Sequence, residues 1–117
     1  MNEPNRHWHV TVTLAGREHD AELVRDALAR LAMERPFLHS MRYRRNRAEL
    51  QYWEQAEGML DAASLALRLW NEHRDSAGLP EWEVVGLEVL ERDTLQHRAH
   101  AGAPAMVGTP GAVPRPY

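Results

Sequence analysis

Two residue types are missing altogether from this sequence: cysteine and lysine. Without cysteine there is no disulfide and no thiolate metal site, and a reducing compartment is the expected setting. Without lysine there is no Schiff-base chemistry, and all 14 basic residues are arginine. Long apolar runs are lacking too. Nothing approaches the ~20 residues that span a bilayer, and the opening MNEPNRHWHV has no basic-then-apolar leader pattern. The three serines, Ser40, Ser64 and Ser76, stand outside any Gly-x-Ser-x-Gly setting, and no glycine-rich phosphate loop occurs. A formal charge of -3 supplies no global attraction to nucleic acid or anionic membrane. These absences point to a cytoplasmic protein without membrane contact and away from nucleophilic catalysis.

What is present fits one domain. Hydrophobic residues make up 44% of the chain, an ordinary share for a globular fold. Residues 1–6 read as a flexible N-terminus and 7–100 as the domain. Residues 101–117, built from Ala, Gly, Pro and Val with few large side chains, read as a disordered tail.

The clearest local signal lies between Gly58 and Leu90. An amphipathic helix there carries Leu60, Ala63, Ala66, Leu67 and Trp70 on one stripe, continued by His73 and Ala77. Gly78, Leu79 and Pro80 stop it, because glycine takes the left-handed cap and proline cannot extend the ladder. A β-forming run follows, with Val85, Leu87 and Val89 expected inward and Trp82, Val84, Gly86 and Glu88 outward.

Upstream, His7 to Leu14 alternates cleanly. Trp8, Val10, Val12 and Leu14 share one face, and His7, His9, Thr11 and Thr13 the other. A helix from about Asp20 to Arg35 buries Leu23, Val24, Ala27, Leu28, Leu31 and Ala32, with His19 or Asp20 as cap, and Pro36 ends it. Two further strands meet in a hairpin at Arg45-Asn46, where Asn46 tolerates positive φ. Met41, Tyr43, Ala48, Leu50 and Tyr52 are assigned inward, and Ser40, Arg42, Arg44, Glu49, Gln51 and Trp53 outward. The order β-α-β-β-α-β predicts an α+β, ferredoxin-like fold: a four-stranded antiparallel sheet in order 4-1-3-2 with two helices on one face.

That fold leaves one sheet face uncovered. The expected ligand or dimer face is His7, His9, Thr11, Gln51, Trp53, Trp82 and Val84. Its two tryptophans and one valine are more apolar surface than a solvated sheet needs. Homodimerisation through this face, with room for a small ligand, is the first expectation. His7-x-His9 with Glu49 or Glu88 is metal-ligand chemistry in principle, but two histidines at this spacing read as surface residues. No metal and no cofactor are expected.

His9-Val10-Thr11-Val12 resembles one His-x-Thr motif of the two-histidine phosphoesterases, in which paired motifs supply general base and acid. The resemblance covers four residues, and the second copy is absent, since His39-Ser40-Met41 lacks a hydroxyl at its third place. Arg42, Arg44, Arg45 and Arg47 at the hairpin, with Trp53, define an alternative in which the domain contacts RNA; no RNP-like pattern supports it, and nucleic acid is not the expected partner. A third alternative is a small dimeric α+β barrel enzyme with a cavity lined by His7, His9 and Trp53. The non-enzymatic reading is preferred.

Overall fold

The computed structural model describes residues 6–93 and 113–117. The elements are β1 (Arg6–Ala15), α1 (Ala21–Glu34), β2 (Leu38–Arg44), β3 (Arg47–Ala56), α2 (Met59–Ala77), β4 (Glu83–Glu91) and β5 (Pro114–Pro116). The strands form one sheet in the order β4-β1-β3-β2-β5. The first four pair antiparallel, and β5 adds a short parallel edge beside β2. The fold is therefore α+β and ferredoxin-like, with a mixed sheet of five strands. The last five residues, part of the expected disordered tail, carry β5: Met41 stands opposite Pro114, and Tyr117 N–H donates to the Tyr43 carbonyl at 3.0 Å. Residues 1–5 and 94–112 lie outside the described residues, and with them most of the expected flexible ends.

One core unites the layers. Trp8, Val10, Val12 and Leu14 of β1 are buried with Leu50 and Tyr52 of β3, Met41 of β2, and the inner stripes of both helices. Tyr52 rather than Trp53 takes the core position. In α1 the stripe is Val24, Ala27, Leu28, Leu31 and Ala32; Leu23 is 45% exposed. Asp20 occupies the N-cap position, and the Arg35 N–H closes the last turn on Leu31 before Pro36. At the other end of the sheet, the carbonyls of Arg45 and Asn46 accept the N–H groups of His19 and Gly16 at 2.8 and 3.1 Å. Those contacts hold the hairpin, and Asn46 does not take a positive φ.

Helix α2 is rotated from the expected stripe. Ala62, Ala66, Leu69, Trp70 and Ala77 are buried, whereas Leu60 is 84% and Leu67 48% exposed. The anchor is Trp70, whose indole stacks on Trp82 with an interplanar angle of 4° and donates to the Pro80 carbonyl at 2.9 Å. Trp82 is in turn bonded to the Arg17 carbonyl at 2.8 Å, and it lies so close to the β1–α1 loop that a Cβ at Gly16 would sit 2.4 Å from its ring. Turning the helix to meet that indole brings Leu69 in and leaves Leu67 out.

The alternation expected for β4 fails at its start. Register passes from Thr13↔Gly86 to Leu14↔Val84, so Val85 is an unpaired bulge residue. Trp82 (3% exposed) is buried on the helix side and Val84 packs against the core, while Val85 is 54% exposed. Beyond the bulge Leu87 and Val89 stand opposite Val12 and Val10; Val89 packs against the core, whereas Leu87 is 37% exposed. A second irregularity lies in β2, where Leu38 pairs with Tyr52 and Ser40 with Gln51, leaving His39 as the extra residue. Leu38 goes inward in its place.

The helices are also tied at one end by polar groups. His73 meets the Glu34 carboxylate at 2.7 Å through Nδ1 and accepts from Arg35 Nε at 2.6 Å, and Ser76 Oγ donates to the same carboxylate at 2.7 Å. His73 is thus a hydrogen-bonded boundary residue joining α1 to α2. Glu72 of α2 stands 3.8 Å from Arg35.

Two stability predictions follow from these placements. Val85→Ser should stay within about 0.5 kcal/mol of wild type in urea unfolding, while Val84→Ser should cost roughly 1–2 kcal/mol; the reverse ranking would misplace the bulge. Gly78 caps α2 at φ 66° and ψ 40°. Gly78→Ala should cost about 1 kcal/mol and lower the thermal midpoint by about 4–8 °C, as read by circular dichroism; an unchanged midpoint would argue against the left-handed cap.

Candidate ligand site on the open sheet face

Strand β1 runs through the sheet between β3 and β4, so the side chains on its uncovered face are flanked from both sides. His9 stands opposite Trp53 on β3 and Leu90 on β4; Thr11 stands opposite Gln51 and Glu88. The β2 bulge turns His39 onto the same face, and it reaches across β3. The Nε2 atoms of His9 and His39 are 3.0 Å apart, with ring centroids at 5.1 Å and planes tilted by 37°. Trp53 meets the His9 ring edge-on at 5.0 Å. These neighbours leave His9 only 4% exposed, the one buried polar residue among those described.

The contact joins the two rings through their Nε2 atoms, one donating its N–H and the other accepting on its lone pair. Neither ring is readily charged further. Desolvation first, and the nearby His39 second, lower the His9 pKa to about 4, although Glu88 pulls the other way. Desolvation also lowers His39, partly opposed by its carbonyl. At neutral pH the site is a pair of neutral imidazoles sharing one proton. Beside it the Gln51 side chain donates to Glu49 at 3.4 Å, and its Oε1 is buried without a partner.

Five of the seven residues expected on this face are there: His7, His9, Thr11, Gln51 and Trp53. His7 is exposed at the strand end, 3.3 Å from the Gln55 amide. Trp82 and Val84 are on the opposite side, turned there by the β4 bulge, and line a cleft of about 550 Å³ between α2 and β4 with Leu67, Trp70 and Arg74. The apolar surface that favoured a sheet-face dimer loses the Trp82 indole, while the exposed Val85 stands in for Val84. Among the alternative nucleic-acid residues, Arg42 stands opposite Glu49, Arg44 lies 5.0 Å over the Tyr117 ring, and Arg45 donates to the His19 carbonyl at 3.3 Å. Arg47 begins β3, six positions and roughly 20 Å from Trp53. Arg44, Arg45 and Arg47 therefore lie at the hairpin end of the sheet, away from Trp53. Among the described residues, no group of three or more His, Cys, Asp or Glu is placed to hold a metal ion.

His39 is the site residue that alternation alone places wrongly. Met41 and Tyr43 go inward, so a strict period of two sends His39 inward with them. The structure brings His39 to His9, the two histidines that begin the compared His-x-Thr and His-Ser-Met segments. Met41 is buried in the core, so no hydroxyl arrives from the third place of the second segment, and the imidazoles bond each other directly.

A family profile described as Domain of unknown function (DUF8830) matches residues 7–106. The chain belongs to this family. No curated protein and no solved structure matches it. The family match spans every strand of the site, from His9 through His39 and Trp53 to Glu88. Among the described residues, no helix is long and apolar enough to cross a membrane.

The lowered His9 pKa has a consequence for stability. The unfolded chain takes up protons near the ordinary imidazole value of 6.5, whereas folded His9 resists until about 4. Stability is therefore complete above the unfolded value and is lost as pH falls towards the folded one, by up to about 3 kcal/mol. Urea midpoints measured between pH 7.5 and 4 should fall steeply for wild type and much less for His9→Gln. Parallel curves would show that His9 is solvated.

Proposed function

We propose that this domain binds a small, planar, polar ligand on its open sheet face, against the patch formed by His9, His39, Thr11, Gln51 and Trp53. The contact between His9 and His39 carries the reading. Two imidazoles withdrawn from water on a sheet face, outside the apolar core, cost stability unless they do something else there. Gln51 supports the same conclusion, because a buried acceptor without a donor calls for an N–H or O–H from outside. Trp53 supplies an aromatic wall against which a flat molecule can lie.

Binding accounts for these features better than acid–base catalysis. A general base works best with a pKa near the working pH, and His9 is held far below it. Self-association over the same face is the other partner reading. Its support is thinner with Trp82 turned to the helix side, although Val85 comes out as Val84 goes in, so the small ligand takes first place.

Native mass spectrometry of gently purified protein tests the proposal. The chain should carry an additional bound mass that Trp53→Ala and Gln51→Ala release while far-UV circular dichroism is unchanged. A bare chain mass from every preparation would count against the site, and twice the chain mass would shift the reading to a dimer.

A further inference from the structure

We propose that His9 and His39 form a two-imidazole site for one divalent transition-metal ion of the Zn(II), Ni(II) or Cu(II) class, with its remaining coordination positions open to water or to the small ligand. This deepens the reading above and rests on it, since ion and ligand would share one patch.

The distance between the nitrogens is the first argument. Two imidazole nitrogens bound at about 2.0–2.1 Å to one ion stand about 3.3–3.4 Å apart in a tetrahedron and about 2.9 Å apart as neighbours in a square plane. The observed Nε2 to Nε2 distance of 3.0 Å falls between those spans. An ion could replace the shared proton with ring movements of a few tenths of an ångström.

The second argument is the orientation of the rings. Both rings turn Nε2, rather than Nδ1, toward the shared space between the strands. With each ring carrying its proton on Nδ1, both Nε2 lone pairs would be free for an ion; the ring that donates in the contact would move its proton from Nε2 to Nδ1 and stay neutral, so the exchange neither consumes nor releases a proton. Trp53, packed edge-on against His9, limits how far that ring can swing. Third, the surroundings favour a cation of this class. Imidazole ligands select Zn, Ni and Cu over Mg and Ca, and the Glu88 carboxylate bears on His9 electrostatically from the adjacent strand. The described residues add no third histidine or carboxylate to complete a closed set, which makes the site an open one.

The test uses the full chain, untagged and treated with chelator. Calorimetric titration with ZnCl₂ and NiCl₂ should give one ion per chain, and the electron paramagnetic resonance spectrum of the Cu(II) form should show two nitrogen donors. His39→Gln should weaken binding by about tenfold or more, since even outer partners of a ligand are worth about 10- to 100-fold, and should leave one nitrogen in the spectrum. His9→Gln serves as the second variant, with circular dichroism reporting the fold of each. A wild-type chain that binds no stoichiometric ion would overturn the inference, as would a folded His39→Gln protein with unchanged affinity. If a Trp53-dependent bound mass persists while no ion titrates, the metal inference alone falls; if neither appears, both readings fall.

Discussion

The ladder that joins β1 to β3 on one side and β4 on the other is the constraint from which the rest follows. A strand paired along both edges has no freedom to turn, so its alternate side chains are committed to opposite environments. Trp8, Val10, Val12 and Leu14 go under the helices, and His7, His9, Thr11 and Thr13 face away from them. The same ladder desolvates His9. With Trp53 and Leu90 as its neighbours on the two sides, its ring has lost water before any ligand arrives.

Two departures from strict alternation decide what surrounds that strand. The bulge in β4 brings Val84 beneath the sheet and leaves Val85 outside, and the buried Trp82 just before the strand locks α2 through its stack on Trp70. The bulge in β2 does the opposite service, adding His39 to the open face while Leu38 fills the core. A bulge changes the side to which a residue points without altering its identity. One irregularity takes Trp82 and Val84 from the open face and leaves Val85 out, and the other adds an imidazole.

The chemistry of the histidine pair is governed by desolvation rather than by charge. Desolvation is the largest influence on both rings, and for His9 it outweighs the opposing pull of Glu88, with His39 disfavouring a second proton as well. The pair is a contact between two neutral rings, each satisfying the other at Nε2. That sets it apart from His73, whose two nitrogens are occupied by Glu34 and Arg35 and whose role is to join the helices.

The sequence by itself determined the order of elements, the architecture, the inner face of β1, the cap at Gly78 and five of the seven residues expected on the open face. These follow from local periodicity and from backbone preferences of glycine and proline, which depend on neighbours in the chain. The tertiary structure alone decided the rotation of α2, the side taken by Trp82 and Val84, the meeting of His39 with His9, and the strand formed by 114–116. Each of those depends on residues far apart in sequence: an indole stacked on another, a register slip against a partner strand, a tail pairing with β2. Alternation describes a regular strand, whereas a bulge is set by what the neighbouring strand and the core require.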